Sequence, residues 1–287
     1  MSKNFWLFSM IVAVFFMTGC VGRPQLNVEL DNGKEEMRTS SLFTKDVTAS
    51  MDMVFVKGGC YQMGDVIDGD YGYYTNEDEL PVHEVWVHDF YRGIYEVTLG
   101  QWKEIMGSTN TREYMEQWHF KDDQPMSEIS WNDAQEFIKK LNSKGGGGKF
   151  RLPTEAEWEY ACRDGGKKER YCGGDDLDAL AWHSRNAVFK KPVGLLLTKP
   201  VGLKKPNILG LYDMQGNVWE WTSDWYAADY YNKSPRDNPK GPDAGDRRSI
   251  RGACVSGEPE GMRPSRRSAY PADFRNNHVG FRIVRDP

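Results

Sequence analysis

The cysteines are the residues of this sequence with the widest range of possible chemistry. One of the five, Cys20, follows an apolar run near the N-terminus. The other four are Cys60, Cys162, Cys172 and Cys254, and none of them has the C-x-x-C spacing of a structural zinc site. They could pair as disulfides in several ways, and the sequence alone does not choose among the pairings.

Histidines and acidic residues are the other candidates for metal binding. The five histidines show no H-E-x-x-H or similar ligand pair, so they are expected at the surface or at the edge of the core. Residues 65–80 are acidic and rich in glycine, but they lack the Asp-x-Asp-x-Asp-Gly framework and the distal glutamate of a calcium loop. A solvated loop is predicted there, with a calcium loop as the alternative.

Residues 1–20 have the pattern of a secretion signal. Lys3 supplies a positive start, and the apolar run Phe5–Met17 is too short to span a bilayer comfortably. Thr18-Gly19-Cys20 then resembles a bacterial lipobox, although Met17 stands where leucine is usual. The sequence therefore predicts a signal peptide over 1–20 and lipid on Cys20. The alternative is an ordinary signal peptide beside an incidental cysteine.

Lipid on Cys20 predicts a chain anchored to a membrane of the bacterial cell envelope. Val21 follows the cysteine where aspartate would indicate inner-membrane retention, which favours the outer membrane. Residues 21–50 are mostly polar and are predicted to form a tether. Residues 51–287 are predicted to form one domain. The expected partners are the membrane, through the lipid, and envelope proteins.

Composition limits the possible functions of that domain. Hydrophobic residues make up 39% of the chain and charged residues 28%, which is typical of a folded protein. The formal net charge is -5 and no basic face dominates, so nucleic acid is not expected as a partner. Arg263, Arg266 and Arg267 form a local cluster that fits a solvated or ion-paired patch.

Short strands and short helices must position these residues. Residues 52–64 alternate as a strand, a turn and a second strand, and residues 82–90 alternate as another strand. Three helix starts carry capping-box signals: Thr98 with Gln101, Ser130 with Asp133, and Thr154 with Glu157. From residue 164 onward the chain is rich in turns.

Three long motifs resemble the formylglycine-generating enzyme family, also called sulfatase-modifying factors. They are RLPTEAEWEYACR (151–163), KKPNILGLYDMQGNVWEWTSDWY (204–226) and RNNHVGFRIVRD (275–286). Earlier segments match the same pattern, so the resemblance covers about residues 51–286 in continuous order. It implies a single-domain α+β fold with few regular elements, a variant of the C-type-lectin-like fold.

The resemblance also implies which residues would carry the family's chemistry. Active members convert a sulfatase cysteine to formylglycine with two cysteines that bind copper(I), a metal that prefers soft thiolate ligands. Counted back from Gly280-Phe281-Arg282 without gaps, those two positions are Gly257 and Met262 here. No catalytic residue is therefore predicted, and copper is not expected. Cys254 and Met262 form a possible residual ligand site, with a disulfide-bonded or simply buried Cys254 as the alternative.

One metal site of the family does carry over. Active members bind calcium around an Asn-Val-Trp-Glu-Trp-like segment, and the matching ligands here are Asp213, the backbone oxygens of Gly216 and Val218, and Glu220. Two carboxylates and two carbonyl oxygens suit a hard cation. Calcium is therefore predicted, with a loop held by hydrogen bonds alone as the alternative.

Taken together, these features favour a non-catalytic envelope lipoprotein that acts as a binding or scaffold module. The alternative is a divergent formylglycine-generating enzyme or a related oxidase that modifies a protein cysteine, because overall similarity alone supports it. Sugar binding by analogy with lectins is a third hypothesis, and it rests only on tryptophans and a calcium ion.

Overall fold

The computed structural model describes residues 43–45, 51–67, 76–107, 113–144, 148–187 and 197–287. All of them belong to one compact unit, Thr39–Pro287. The predicted signal peptide and its lipid-bearing Cys20 lie outside the described residues. None of the helices in the described part of the chain combines the length and the apolarity that a membrane crossing requires.

Short elements make up the fold. The strands are β1 (Phe43–Lys45), β2 (Asp52–Val56), β3 (Gly59–Met63), β4 (His83–Val87), β5 (Phe90–Gly93), β6 (Phe150–Arg151), β7 (Trp219–Trp225), β8 (Arg248–Arg251), β9 (Arg267–Tyr270), β10 (Val279–Phe281) and β11 (Val284–Arg285). The helices are α1 (Leu99–Met106), α2 (Glu113–Gln117), α3 (Trp131–Ser143), α4 (Glu155–Cys162) and α5 (Leu177–Leu180). The predicted α+β class with few regular elements is confirmed.

The strands form three sheets with mixed connections. One sheet has the order β1-β2-β5-β11-β6, a second has the order β10-β7-β8-β9, and β3 pairs with β4 alone. The pair β10–β7 is parallel, with Gly280 opposite Glu220. Strands β2 and β3 follow each other as predicted but join different sheets. The C-terminal strand β11 thus joins the sheet that begins near the N-terminal end of the domain, whereas β10 joins strands of the second half of the chain.

Strand β1 lies within the segment 21–50, which the sequence predicts to be a tether. Its residues pair antiparallel with β2, with Phe43 opposite Val54. The first sheet therefore begins upstream of residue 51, the predicted start of the domain.

Local sequence signals start the three longest helices. In each one the capping hydroxyl accepts a hydrogen bond from the third helical N–H, while that residue's side chain accepts one from the cap's own N–H. The three predicted capping boxes are confirmed: Thr98 with Gln101, Ser130 with Asp133, and Thr154 with Glu157. These boxes fix where each helix begins before any tertiary contact is made.

Helices α1 and α3 pack an aromatic core against the C-terminal strands. Trp102 stacks on Phe137 with ring centroids 5.5 Å apart, and Phe281 meets Phe137 edge-on at 5.2 Å. All three side chains are fully buried. Packed aromatic rings of this size supply much of the apolar burial that short strands cannot provide.

Helix α4 is buried on every side even though it carries three glutamates. All eight of its residues are buried, including Glu155, Glu157 and Glu159. Burial of an unpaired carboxylate would cost several kcal/mol, roughly, so each one needs a cation and hydrogen-bond donors. Arg151 meets Glu157 through two bonds of 2.7 Å.

The other two glutamates of α4 tie distant strands together. Glu155 Oε1 accepts from Arg251 Nη1 at 3.0 Å and from Arg267 Nε at 2.8 Å. Glu159 Oε1 accepts from Arg163 Nε at 2.8 Å, and its Oε2 accepts from Arg251 Nη2 at 2.5 Å. Strands β8 and β9 are therefore anchored to α4 by charge-assisted hydrogen bonds.

The acidic segment and the arginine cluster meet in the same interior. The prediction of a solvated loop over 65–80 is wrong for Asp65 and Glu79, which are both buried. Arg263 is also buried and pairs with both of these carboxylates. Of the two alternatives for the arginine cluster, ion pairing therefore holds for Arg263 and, through Glu155, for Arg267. Residues 68–75 of the segment lie outside the described residues.

The structure also chooses among the cysteine pairings that the sequence left open. Cys162 at the end of α4 forms a disulfide with Cys172. Cys254 is a buried free thiol. The disulfide closes a short loop that leads from α4 toward α5, so it adds a covalent tie to the most buried helix.

The buried charge of Glu155 predicts acid sensitivity. Burial raises the pKa of this carboxyl, but Arg267 and Arg251 outweigh burial and lower it from 4.5 to about 2. A folded-state pKa below the unfolded one adds stability above pH 4.5 and loses it as the pH falls toward 2. That shift corresponds to about 3 kcal/mol. We expect Glu155→Gln to lower the free energy of unfolding at pH 7 by about 3 kcal/mol or more, since it leaves two arginines without a full counter-charge.

Urea unfolding of the full chain at neutral pH and at a series of acidic pH values tests this expectation. Glu136→Gln is the matched control, because Glu136 pairs with Lys140 on an exposed face and 57% of its side chain is accessible. That variant should lose less than about 1 kcal/mol. Equal losses in the two variants would contradict a structural role for the buried pair.

Candidate functional site

The loop that leads into β7 holds most of the residues that the family resemblance assigns to calcium. Asp213, Gly216 and Asn217 have φ values of 51°, 78° and 53°, so the backbone is left-handed at three points. Only glycine fits at 216, since a Cβ there would lie 2.1 Å from the carbonyl oxygen of Trp182. Asn217 N donates to that same oxygen at 3.2 Å. The loop is therefore fixed against the segment around Trp182.

One of the two carboxylate oxygens of Asp213 accepts a hydrogen bond and the other does not. Its Oδ2 accepts from Gly202 N at 2.7 Å. Its Oδ1 is buried and has no hydrogen-bond partner among the described residues. Burial raises the pKa of Asp213 to about 6. A buried carboxylate oxygen without a donor is destabilising unless a cation or water completes it.

Glu220, the second predicted carboxylate ligand, is already fully engaged. Its Oε2 accepts from Arg92 Nη2 at 3.0 Å and from Trp158 Nε1 at 2.9 Å. Its Oε1 accepts from Arg282 Nε at 3.1 Å and from Arg282 Nη2 at 2.9 Å. Four donors from three buried side chains satisfy this carboxylate, so its charge is balanced without a metal ion.

Glu96 is the carboxylate that the sequence analysis missed. It is completely buried between β5 and α1. Its Oε2 accepts from Asn217 Nδ2 at 2.8 Å, and its Oε1 lies 3.3 Å from Val218 N. Burial, and after it the charge of Asp213, raise the pKa of Glu96 well above its ordinary value. An acidic residue inside the apolar stretch around Tyr95 and Val97 was the available signal.

The oxygen atoms at this loop fit a hard cation, but Glu96 takes the place of Glu220 in the predicted set of ligands. Asp213 and Glu96 are neighbouring buried carboxylates, and the carbonyl oxygens of Gly216 and Val218 belong to the same loop. Oxygen donors of these kinds are the ligands that calcium prefers. Within the described ranges, no group of three or more His, Cys, Asp or Glu side chains is arranged to hold a metal ion. Calcium stays a prediction.

The two positions that the family resemblance assigns to copper-binding thiols, 257 and 262, lie between β8 and β9. At one of them, Gly257 offers no side chain. At the other, Met262 is completely buried and packs in an apolar cluster with Leu177, Ala181 and Ala253. A Cβ added at Gly257 would lie 3.3 Å from Met262 Cε. The methionine side chain therefore occupies the space beside position 257, and two thiolates do not face each other here.

Cys254 precedes both positions and is 7% exposed. It follows a sharp bend, because Gly252 and Ala253 have φ values of 98° and 62°. The possible residual ligand site of Cys254 with Met262 thus offers one thiol and one thioether, and the thioether is packed in an apolar cluster. Copper(I) is expected to prefer paired thiolates. The prediction that copper does not bind remains a prediction.

A cavity opens beside the Met262 cluster. Its volume is about 530 Å³, and it lies between the α5 region and Pro259. Acidic and basic side chains share its wall: Asp175, Asp176, Asp178, Arg185 and Lys204. A concave surface with both signs of charge suits a polar ligand or a peptide segment.

Comparison with known proteins agrees with this fold. A family model described as "Sulfatase-modifying factor enzyme 1-like domain" matches residues 39–287. The solved structure titled "Structure of PvdO from Pseudomonas aeruginosa" superposes with a TM-score of 0.68. The alignment covers 86% of this chain and 98% of that one at 24% sequence identity, so it supports the fold alone.

Three curated relatives illustrate the range of named activities. "Serine/threonine-protein kinase pkn1" of Chlamydia caviae is 31% identical over 92% of this chain and 42% of its own length. "Formylglycine-generating enzyme" of Streptomyces coelicolor is 38% identical over 56% of this chain and 52% of its own length. "Chaperone protein LppX" of Paenibacillus barcinonensis is 29% identical over 84% of this chain and 91% of its own length.

This chain spans about two fifths of the kinase relative, so that match concerns part of a longer protein. The family model, in contrast, covers nearly all of the described chain. The short sheets and the turn-rich second half fit a member of the same fold. The chain belongs to the sulfatase-modifying factor family, to which the formylglycine-generating enzymes also belong.

Proposed function

We propose that this chain is a non-catalytic binding or scaffold module of the bacterial cell envelope. One observation carries the proposal, which is the environment of the two positions where active members of the family place copper-binding thiols. Gly257 has no side chain, and Met262 is buried in an apolar cluster. Oxygen activation on copper(I) needs soft donors that can exchange electrons with the metal, and neither position supplies a thiolate.

Two further features support a binding role. The relative named "Chaperone protein LppX" matches along most of its own length as well as most of this chain. The cavity beside the Met262 cluster includes Pro259, which lies between positions 257 and 262 in the chain, and it has charged walls. A fold that keeps such a surface without the metal ligands can still hold a partner segment.

The second candidate function is a divergent formylglycine-generating enzyme. The identity to the Streptomyces coelicolor enzyme favours it. Under this alternative, Cys254 would have to replace the missing thiols. The arrangement of donors disfavours it, because Cys254 is the one free cysteine among the described residues.

A peptide-oxidation assay separates the two candidates. The full chain is incubated with copper(I), oxygen and a Cys-x-Pro-x-Arg peptide, and the peptide is read by mass spectrometry, with an active formylglycine-generating enzyme as positive control. We expect no aldehyde above the level of a copper-free sample. Conversion by the unaltered chain would overturn the non-catalytic proposal.

The double variant Gly257→Cys with Met262→Cys is the matched comparison for metal binding. Removal of the Met262 side chain frees the space beside position 257, so the new side chains can be accommodated. We expect this variant to bind one copper(I) ion with the absorption of a thiolate complex, while the unaltered chain binds none. Equal affinity for copper(I) in both proteins would mean that the residues at 257 and 262 do not determine copper binding.

The location in the envelope is a separate part of the proposal. The lipobox-like ending at Cys20 and the preceding apolar run support a lipid anchor. We expect Cys20→Ser to move the expressed chain from the detergent-extracted membrane fraction to the soluble fraction, with loss of the acyl mass on the N-terminal peptide. Cys254→Ser is the control and should stay with the membrane. A Cys20→Ser chain that remains in the membrane fraction would rule out anchoring through this lipid.

Calcium is proposed as a structural ion held by Asp213 and Glu96 together with the carbonyl oxygens of Gly216 and Val218. The unpartnered Asp213 Oδ1 supports this assignment. Binding to the folded state alone would stabilise it by about 2.7 kcal/mol when free calcium is about 100 times the Kd. We therefore expect a chelator to lower the melting temperature, and Asp213→Asn to remove the response.

The calcium test needs a control for the loss of an acidic residue. Asp229→Asn changes an exposed carboxylate that pairs with Lys233, and 68% of its side chain is accessible. That variant should respond to the chelator as the unaltered chain does. Melting curves that are identical with and without chelator in the unaltered chain would exclude a structural calcium ion.

A further inference from the structure

The free thiol of Cys254 has a polar neighbourhood that neither the family chemistry nor the binding role uses. Its Sγ lies 3.3 Å from the hydroxyl of Ser256. That hydroxyl lies 3.1 Å from Nδ1 of His278. A thiol, a hydroxyl and an imidazole thus form a continuous line of hydrogen-bonding groups. Sequence analysis missed Ser256 and His278 because they belong to different segments that meet only in the fold.

Backbone contacts hold these groups in place. Val255 N donates to Asn217 O at 2.9 Å, and Gly257 N donates to Cys254 O at 2.8 Å, so the turn that carries the thiol is closed. His278 immediately precedes β10. Its carbonyl oxygen accepts from Trp219 N at 2.8 Å, at the start of β7. The imidazole and the thiol are therefore positioned by neighbouring parts of one sheet, without dependence on a mobile side-chain arrangement.

The bend before the thiol is also unusual. Ala253 has a φ of 62°, in the left-handed region that residues other than glycine seldom adopt. Such a conformation is strained and persists only where the surrounding structure enforces it. Here it directs the chain from β8 into the turn that presents Cys254 to Ser256.

The electrostatic surroundings favour the thiolate. Burial raises the pKa of the Cys254 thiol, but hydrogen bonds and charge from His278, together with Ser256, outweigh burial and bring the pKa below its ordinary value. The thiolate is the nucleophilic form of cysteine. Ser256 is exposed and His278 is half-buried, so protons can leave the line of groups toward solvent. Nucleophile, hydroxyl and base have the arrangement of an activated thiol.

We propose that Cys254 is a reactive thiol that exchanges with small disulfides and thereby becomes covalently modified. The thiol proton passes through the Ser256 hydroxyl to His278 Nδ1. The Cys254 sulfur then attacks one sulfur of the disulfide, the S–S bond breaks, and the other sulfur leaves as a thiolate that takes up a proton. Cys254 is oxidised to a mixed disulfide while the leaving sulfur is reduced, so no further oxidant is required.

The limited exposure of Cys254 defines the size of the reagent. Only 7% of the residue is accessible to solvent. A compact disulfide can reach the thiol, whereas a disulfide inside another folded protein cannot. The reaction is stoichiometric and needs neither copper nor oxygen. It therefore goes beyond the binding role, and failure of either proposal leaves the other untouched.

Modification kinetics of the full chain test the proposal. The probe is dipyridyl disulfide, whose released pyridinethione is followed by absorbance, and peptide mapping locates the adduct. We expect one adduct on Cys254 in the native chain and none there in Cys254→Ser. Replacement of the imidazole by His278→Gln should slow the reaction at neutral pH by about tenfold and move the midpoint of the pH–rate profile up toward that of an ordinary thiol.

His88→Gln is the matched control, since His88 is an exposed histidine that contacts Asp237. It should react like the unaltered chain, and equal melting temperatures of all variants show that each is folded. Ser256→Ala should also slow the reaction, because it interrupts the proton path. The proposal is overturned if Cys254 is modified only after denaturation, or if His278→Gln matches His88→Gln in both rate and pH profile.

Discussion

Three glutamates on helix α4 pair with arginines from the strands β6, β8 and β9 and with Arg163 at the end of the helix itself, and nearly all of these charges are buried. The ladders of this fold are short, with several strands of two to four residues, so backbone pairing alone ties its segments weakly. Glu155 and Glu159 instead join α4 to β8 and β9 through Arg251 and Arg267. Buried ion pairs add little net stability compared with apolar packing, but loss of one partner leaves an uncompensated charge. The network therefore penalises every arrangement in which these distant segments fail to meet, and it gives a turn-rich chain one preferred fold.

Ion pairing also determines which carboxylates near β7 are available to bind a cation. Arg92, Arg282 and Trp158 together satisfy Glu220, and the two arginines tie β5, β7 and the C-terminal strands together. Glu220 thereby belongs to the structural network, although its position in the sequence motif assigns it to the metal site. Asp213 and Glu96 remain with raised pKa values and with neutral hydrogen-bond donors from Gly202, Asn217 and Val218. A divalent cation at this point would offset repulsion between two buried carboxylates, which is a physical reason to expect calcium beside the network and outside it.

Sequence reasoning succeeded where the relevant contacts are local. The capping boxes at Thr98, Ser130 and Thr154 each involve residues three apart, and the family motifs extend over continuous segments, so both are legible without a structure. It failed where partners are distant. From the sequence, the acidic residues Asp65 and Glu79 look like solvated loop residues. Their partner Arg263 lies 184 positions after Glu79, and only the fold brings it beside them. Glu96 and His278 were missed for the same reason, since a single acidic or imidazole side chain has no meaning until the fold supplies its neighbours.

The two positions that the family resemblance assigns to copper-binding thiols are distinct from the residues that hold the frame. Gly257 and Met262 lie in the irregular segment between β8 and β9, whereas Arg251 and Arg267 of the buried ion pairs belong to the strands on either side of it. The side chains at 257 and 262 can therefore differ while the ion pairs of these two strands stay in place. Met262 packs in an apolar cluster, which stabilises the segment through burial. Cys254 lies in the same segment but faces Ser256 and His278, so its surroundings are polar where those of Met262 are apolar. One short stretch of chain thus combines an apolar cluster at one sulfur with the conditions for a reactive thiol at the other.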